Sequence, residues 1–289
     1  MRIVSNLAEI SAPYDALFCD LWGCLHDGIR AFPEAVEALR AYRAGGGKVV
    51  LVTNAPRPRA EVEVQLGQLG VPDDAWDTIA TSGDSARLAM FQGAVGTKVY
   101  HIGEERDLAF FEKIQLLEEC PDITRVPLDA AEGIVCTGPR DPMADPSVYR
   151  PEFLLAKQKG LKLLCANPDI VVDRGETREW CAGALAELYT EMGGESLYFG
   201  KPHPPIYDLA RRRLAALGGS VPDDRILAVG DGIATDIKGA IGEGIDSLFI
   251  TGGLARSETK TDQDPDPEAL AAFTSGAQMS PTHAIGFLS

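Results

Sequence analysis

Long apolar segments are missing from this chain of 289 residues, and their absence excludes membrane classes of protein. No run approaches the roughly 18 consecutive apolar residues that a membrane-spanning helix needs. The first nine residues, MRIVSNLAE, also lack the apolar centre of a signal peptide. We therefore expect a cytoplasmic protein with no membrane partner.

Basic residues are scarce relative to acidic ones. The 27 Lys and Arg residues stand against 43 Asp and Glu, which gives a formal net charge of -16. Such a surface repels nucleic acid and anionic lipid at long range, so we expect no nucleic-acid partner. It also repels a phosphate ester. Any phosphate site must therefore be locally positive, through a lysine, a helix N-terminus or a bound cation.

Paired cysteines of the CxxC type are absent as well, which argues against a zinc site. Several of the six cysteines lie in apolar runs that resemble strands. We expect reduced and mostly buried thiols rather than a disulfide framework. The six positions are Cys19, Cys24, Cys120, Cys136, Cys165 and Cys181.

What the chain does have is an alternation of short apolar or β-branched runs with helical patterns. This alternation predicts an α/β fold with a mainly parallel sheet. The predicted strands are 14–20, 48–53, 77–82, 99–103, 133–136, 161–165, 197–199 and 225–230. The predicted helices are 33–44, 59–69, 107–119, 151–159 and 205–217, and residues 256–268 are predicted as a polar loop.

Polar side chains follow several of these runs. Asp20 ends the first apolar run, Thr53 ends the second, Lys201 lies between Gly200 and Pro202, and a late strand is followed by Asp231 and Asp236. Parallel sheets carry their chemistry at the carboxyl ends of the strands. A nucleophilic carboxylate, a hydroxyl, a lysine and an acidic pair form a set suited to magnesium-dependent phosphoryl transfer.

These polar segments lie toward both ends of the chain, with a separate α/β pattern between them. The simplest architecture is a core of residues 1–84 and 193–289, interrupted by an inserted α/β cap of residues 85–192. The strands on either side of this insert would then belong to one sheet, and strand 197–199 would be part of that sheet.

In this order the segments resemble the motifs of the haloacid dehalogenase superfamily, specifically the class IIA branch of NagD-like and 4-nitrophenylphosphatase-like phosphatases. Asp20 matches the first motif, Thr53 the second, Lys201 the third, and Asp231 with Asp236 the fourth. The segments CANPD at 165–169 and GAL at 183–185 resemble the part of the cap that covers the active site. The resemblance covers nearly the whole chain and implies a Rossmann-like core with a C2-type α/β cap.

The resemblance also implies an Mg²⁺-dependent phosphatase for a small phosphorylated metabolite, such as a sugar phosphate or a nucleotide. Asp20 would attack phosphorus and form an aspartyl-phosphate, which water then cleaves. Thr53 and the backbone amides of Asn54 and Ala55 would bind the phosphoryl oxygens. Lys201 would neutralise the phosphoryl charge.

The metal and cap residues follow from the same resemblance. Asp20 and Asp231 would hold Mg²⁺, with Asp236 beside it or acting through water. The family uses the backbone carbonyl two residues past the nucleophile as a ligand, and Trp22 can still supply it.

On the cap, Asn167 and Asp169 would meet the leaving group of the substrate, and Arg174 could bind a second anionic group. Class IIA relatives often pair through their caps, so the resemblance is compatible with a homodimer.

The first motif departs from the usual Asp-x-Asp, because it continues Asp20-Leu21-Trp22 and resembles a DLWG…HDG variant within class IIA. The missing acid normally protonates the leaving oxygen, and loss of such help typically costs about 10²–10⁴ in rate. Three outcomes stay open. His26 or Asp27 takes over, the leaving group needs no acid, or the protein binds phosphorylated ligands and turns them over poorly.

Two other classes of function stay open. Trp22 motivates a phosphometabolite-binding or regulatory protein with weak turnover. The other class is a hydrolase of carbon–halogen or carbon–phosphorus bonds. A dehalogenase does not need magnesium, so the acidic pair argues against it, and no cap lysine is marked as the Schiff base that a phosphonatase would want.

Overall fold

In a computed structural model, the structure describes residues 1–113 and 120–289, which contain two parallel sheets and one antiparallel hairpin. The strands are β1 (Arg2–Ile3), β2 (Ala16–Cys19), β3 (Lys48–Thr53), β4 (Thr78–Thr81), β5 (Lys98–Ile102), β6 (Thr124–Arg125), β7 (Gly133–Cys136), β8 (Lys162–Cys165), β9 (Val171–Arg174), β10 (Thr177–Trp180), β11 (Glu195–Tyr198), β12 (Ile226–Gly230), β13 (Asp246–Ile250) and β14 (His283–Ile285). The α-helices are α1 (Pro33–Ala44), α2 (Arg59–Leu69), α3 (Ser82–Phe91), α4 (Arg150–Gln158), α5 (Ala182–Glu191), α6 (Pro204–Ala215), α7 (Lys238–Glu243) and α8 (Pro267–Gly276).

The first sheet has seven strands in the order β1-β14-β13-β12-β2-β3-β4, and β2 lies between β12 and β3. Side chains of β2 alternate between two buried faces. Leu17 and Cys19 pack in the cluster that contains α1 and α2, whereas Ala16 and Phe18 pack in the cluster that contains α6 and α7. Burial of both faces explains why β2 is a continuous apolar run.

The second sheet has five strands in the order β11-β8-β7-β5-β6, all drawn from the middle of the chain. The helices α4 and α5 cover one face, and α3 covers the other. The hairpin of β9 and β10 extends from the segment between β8 and α5. The predicted α/β class with mainly parallel sheets is confirmed. We refer to the second sheet, the helices on its faces and the hairpin as the cap, and to the first sheet with its helices as the core.

The prediction that strand 197–199 returns to the first sheet is wrong. The observed strand β11 pairs in parallel with β8, and its residues pack on the apolar clusters of the second sheet. The apolar pattern of β11 predicts a buried strand but does not specify which sheet buries it. The predicted cap boundaries move accordingly, because position 85 falls inside the continuous helix α3 and the second sheet ends only after Tyr198.

Two further elements differ from prediction. The sequence predicts a helix over 107–119. At its start the structure has a 3₁₀ helix, Glu105–Phe111. Residues 114–119 of the prediction lie outside the described residues. The polar loop predicted to end at 268 gives way to α8 at Pro267. Asp266 caps this helix by accepting a hydrogen bond from the Ala269 amide at 2.8 Å.

Two predictions drawn from absent features can be compared with the structure. All six cysteines are free thiols, and every one except the half-exposed Cys120 is buried. Across residues 1–113 and 120–289, none of the helices combines the length and the hydropathy required for a bilayer crossing.

Candidate active site

Three of the predicted site residues meet at one edge of the first sheet. Asp20 follows β2, Thr53 ends β3 and Asp231 follows β12, and these three strands are parallel neighbours. Lys201 comes from the loop that connects β11 of the second sheet to α6 of the first. The convergence follows from topology, because adjacent parallel strands end at the same edge.

Lys201 forms two buried ion pairs at this edge. Its Nζ lies 2.7 Å from Asp20 Oδ1 and 2.7 Å from Asp236 Oδ1. Burial acts to lower the pKa of Lys201, but the carboxylates of Asp20 and Asp236 outweigh it and hold the pKa well above its ordinary value. Lys201 is therefore a fixed cation beside Asp20, and it supplies the local positive charge that the acidic protein needs.

Two carboxylates at the site, Asp20 and Asp231, resist ionisation. Burial, with the charge of Asp236 added, raises the pKa of Asp20 to about 7, although Lys201 opposes the shift. Burial and the neighbouring charges of Asp20 and Asp236 also raise the pKa of Asp231. A divalent cation between such carboxylates would relieve their mutual repulsion.

The donors at this edge partly fit a hard cation. Within the described ranges, ligand atoms of Asp20, Cys24 and Asp231 lie within 4.8 Å of one another. Carboxylate oxygens are the ligands that Mg²⁺ and Ca²⁺ prefer. Burial keeps the pKa of the Cys24 thiol well above its ordinary value, so the sulfur stays protonated and is a poor ligand for such an ion. Cys24 was not among the predicted site residues, since a single cysteine without a CxxC partner gives no signal.

Asp236, predicted beside the metal or acting through water, makes its observed contacts with Lys201 and a backbone amide. Its Oδ1 contacts Lys201, and its Oδ2 accepts a hydrogen bond from the Gly232 amide at 3.1 Å. Both oxygens are therefore engaged, and the geometry favours a role in holding Lys201. Trp22 lines the same cleft as Asp231, and its carbonyl as a metal ligand stays a prediction.

The second motif connects the core to the cap. Thr53 is buried, and its hydroxyl accepts a hydrogen bond from the Ala55 amide at 3.2 Å. The Asn54 side chain accepts from the Lys201 amide at 2.7 Å and donates to the Lys201 carbonyl at 3.1 Å. It also donates to Asp169 Oδ1 on the cap at 2.8 Å. This bridging by the Asn54 side chain was not predicted, because only its backbone amide was considered.

The predicted cap residues fall into two groups. Asp169 contacts Asn54 of the core, and Asn167 Oδ1 accepts a hydrogen bond from the Asp169 amide at 3.0 Å. Arg174 lies on the hairpin with its guanidinium 5.2 Å from the ring centre of Trp22, and its Nε donates to Glu179 at 2.9 Å. Arg174 is thus already partnered by an acid and an aromatic ring.

Two cavities border the site. A cleft of about 830 Å³ contains Asp20, Asp231 and Asp236, and a smaller cavity between cap and core contains Ala55 and Asn167. Both cavities are lined by the same three residues at their junction, Trp22, Asp169 and Val172.

Of the two proposed replacements for the missing acid, Asp27 lines the large cleft and His26 is buried. His26 is 1% exposed and lines neither cavity, and burial lowers its pKa to about 4, so it is neutral at pH 7. Burial acts to raise the pKa of Asp27, but hydrogen bonds from the Arg30 and Ile29 amides outweigh it and leave the pKa low. Asp27 therefore carries no proton to donate at neutral pH.

Comparison with known proteins supports the same family as the motifs. A family model described as haloacid dehalogenase-like hydrolase matches residues 17–116, and a second model for HAD-like hydrolases matches residues 198–273. A solved hydrolase of the haloacid dehalogenase-like family from Brucella suis is 39% identical, covers 99% of this chain and 100% of its own, and superimposes with a TM-score of 0.87. The chain belongs to the haloacid dehalogenase-like hydrolases.

Two further relatives narrow the branch of this family. The 5'-nucleotidase YutF of Bacillus subtilis is 28% identical over 88% of this chain and 93% of its own length. A glycerol phosphate phosphatase of Mycobacterium tuberculosis, solved in complex with calcium, is 25% identical with a TM-score of 0.63, and covers 89% of this chain and 71% of its own. The prediction of a class IIA enzyme of the phosphatase type is confirmed.

Proposed function

We propose that this class IIA hydrolase is an Mg²⁺-dependent phosphatase for a small phosphorylated metabolite. The observation that carries the proposal is Lys201, which is fixed 2.7 Å from Asp20 by a second contact to Asp236. A buried cation beside a strand-end carboxylate provides a site for an anionic group next to a nucleophile.

The reaction follows from the roles of these residues. Asp20 attacks phosphorus in line, the bond from phosphorus to the leaving oxygen breaks, and water later cleaves the aspartyl-phosphate. Lys201 and the amides after Thr53 stabilise the phosphoryl oxygens. Asp20 and Asp231 would hold the Mg²⁺, which when bound offsets charge on the phosphoryl group.

The substrate class is proposed from two sources. The relatives act on nucleotides and on glycerol phosphate by name, which favours a compact phosphate monoester. Closure of the cap over the core leaves a small cavity beside Trp22, which favours a small leaving group. We also propose a cytoplasmic location and a homodimer.

The test is phosphate release from p-nitrophenyl phosphate and from a panel of sugar, nucleotide and glycerol phosphates. We expect activity with MgCl₂ that EDTA removes, and a loss of about 10³-fold or more in Asp20→Asn. Asp208→Asn is the matched control, since it removes an exposed carboxylate on α6. Equal activity with and without metal would contradict the proposal.

A second candidate is a binding or regulatory protein with weak turnover. The observation that favours it is Trp22, which replaces the usual acid and carries no group that can donate a proton to the leaving oxygen. Thermal stabilisation by phosphorylated ligands with negligible phosphate release would support it over the phosphatase.

A further inference from the structure

The structure leaves the reaction without an acid on the core. Trp22 lacks an ionisable group, His26 is buried away from both cavities, and Asp27 is ionised and held by backbone amides. An alkyl leaving group departs poorly as an alkoxide, so a proton donor has to come from another element.

Asp169 on the cap lies where such a donor is needed. It lines both cavities, as does Trp22, and is the acidic residue shared by the two linings. The other carboxylates of the large cleft nearest the site have partners, since Asp20 and Asp236 pair with Lys201 and Asp231 Oδ2 accepts a hydrogen bond from the Leu254 amide at 2.9 Å.

The two oxygens of Asp169 have different environments. Oδ1 accepts the hydrogen bond from Asn54 Nδ2 at 2.8 Å, which fixes the carboxyl group against the core. Over the part of the chain that the structure describes, no hydrogen bond reaches Oδ2. One oxygen is therefore anchored, and the other is free to carry a proton.

The environment of Asp169 also shifts its pKa toward neutrality. Burial raises the pKa of Asp169 to about 6, against the opposing effects of Lys201 and the Asn54 hydrogen bond. A carboxyl group with a pKa close to the working pH can both give and take a proton.

We propose that Asp169, supplied by the cap, is the general acid and base of the reaction in place of the acid missing at Trp22. This inference rests on the proposed phosphatase function. It also means that the catalytic set is complete only when the cap lies on the core.

Asp169 gives up one proton in the first step and takes one proton back in the second. In the first step Asp20 bonds to phosphorus, the phosphorus–oxygen bond to the leaving group breaks, and the leaving oxygen takes the proton of the Asp169 carboxyl group to form an alcohol. In the second step water attacks phosphorus and gives one proton to the Asp169 carboxylate. The bond from phosphorus to Asp20 then breaks and releases inorganic phosphate, with both side chains restored.

The test compares leaving groups in Asp169→Asn, which keeps an oxygen that can accept from Asn54. Rates are measured on p-nitrophenyl, phenyl and glycerol phosphates. We expect a loss of about 10²–10⁴ on glycerol phosphate. The first turnover of p-nitrophenyl phosphate should change little, because p-nitrophenolate leaves without a proton, whereas steady turnover of every ester should slow because water loses its base.

A second variant distinguishes chemistry from structure. Trp22→Asp in the Asp169→Asn background places a carboxyl group at the usual family position, and we expect it to recover part of the glycerol phosphate activity. Asp173→Asn, which removes an ion pair with Arg178 on the hairpin, is the matched cap control and should leave the leaving-group trend unchanged.

An equal loss in the first-turnover rate of all three esters in Asp169→Asn would overturn the assignment and leave the phosphatase proposal in place. Full activity of Asp169→Asn on glycerol phosphate would do the same. A wild-type protein that is inert on every ester with Mg²⁺ would instead remove the proposed function, and this inference with it.

Discussion

Asp231 lies in a space that two glycines keep open. A Cβ atom added at Gly23 or at Gly253 would lie 2.0 Å from Asp231 Oδ2. Gly23 also has a φ of +72°, which itself favours glycine, whereas Gly253 does not have a positive φ. Gly253 is therefore required for space alone, and the backbone on both sides determines where the Asp231 carboxylate points.

We predict that Gly253→Ala weakens metal binding without unfolding the protein. The added methyl group must displace Asp231, and disturbance of a ligand's surroundings typically costs about 10- to 100-fold in metal affinity. The measurement is the Mg²⁺ concentration that gives half-maximal phosphate release.

Gly67→Ala in α2 is the control, because a Cβ atom there meets nothing within 4 Å. It should leave the metal requirement unchanged and add roughly 0.5–1 kcal/mol of stability. An unchanged metal requirement in Gly253→Ala would show that Asp231 does not determine metal affinity.

At the scale of elements, the hairpin of β9 and β10 fastens the cap to the loop of the first motif. The Gly175 amide at its tip donates to the Asp27 carbonyl at 3.0 Å, and Arg174 stacks on Trp22 at 5.2 Å. The Trp22 ring also meets His26 edge-on at 5.0 Å. The residue that replaces the family acid therefore serves as the surface on which the cap hairpin rests.

We predict that Trp22→Ala loosens this hairpin and that Trp22→Phe retains most of its protection. Loss of a cation–π contact costs about 0.5–2 kcal/mol, so amide hydrogen exchange across 171–180 should accelerate about 2- to 30-fold in the alanine variant. Exchange in β12 of the core is the internal reference. Identical exchange of the hairpin in wild type and Trp22→Ala would show that the stack does not hold the cap.

At the scale of the whole molecule, a net charge of -16 and a cluster of buried acids oppose the compact state. Burial and mutual repulsion raise the pKa values of Asp20 and Asp231, which means that folding brings together charges that the unfolded chain keeps apart. Lys201 offsets part of this repulsion, and a bound divalent cation would offset more.

We predict that Mg²⁺ raises the Tm of the wild-type protein. A ligand that binds only the folded state at 100 times its Kd contributes about 2.7 kcal/mol, which corresponds to several degrees for a chain of this size. Thermal unfolding with MgCl₂, compared with NaCl at equal ionic strength, measures the effect. The same rise in Asp231→Asn would assign it to general screening and contradict the site.

Much of the local structure was predictable because its causes are local. The helices α1 and α2 and the strand β3 have the predicted bounds, since apolar periodicity and terminal glycines specify them within a few residues. The hairpin was missed because Val171–Trp180 mixes apolar and charged residues. Gly175 was the sequence signal that could have indicated it, because the turn requires a φ of +58°, which favours glycine.

The sequence by itself determined the fold class and the identity of the residues that meet at the carboxyl edge, because parallel strands bring their ends together whatever lies between them. Tertiary structure alone decided that β11 joins the cap, that Asp236 holds Lys201, that Cys24 lies beside the carboxylates, and that Asp169 reaches Asn54. Those outcomes depend on contacts between segments that are distant in the chain, and local spacing does not encode such contacts.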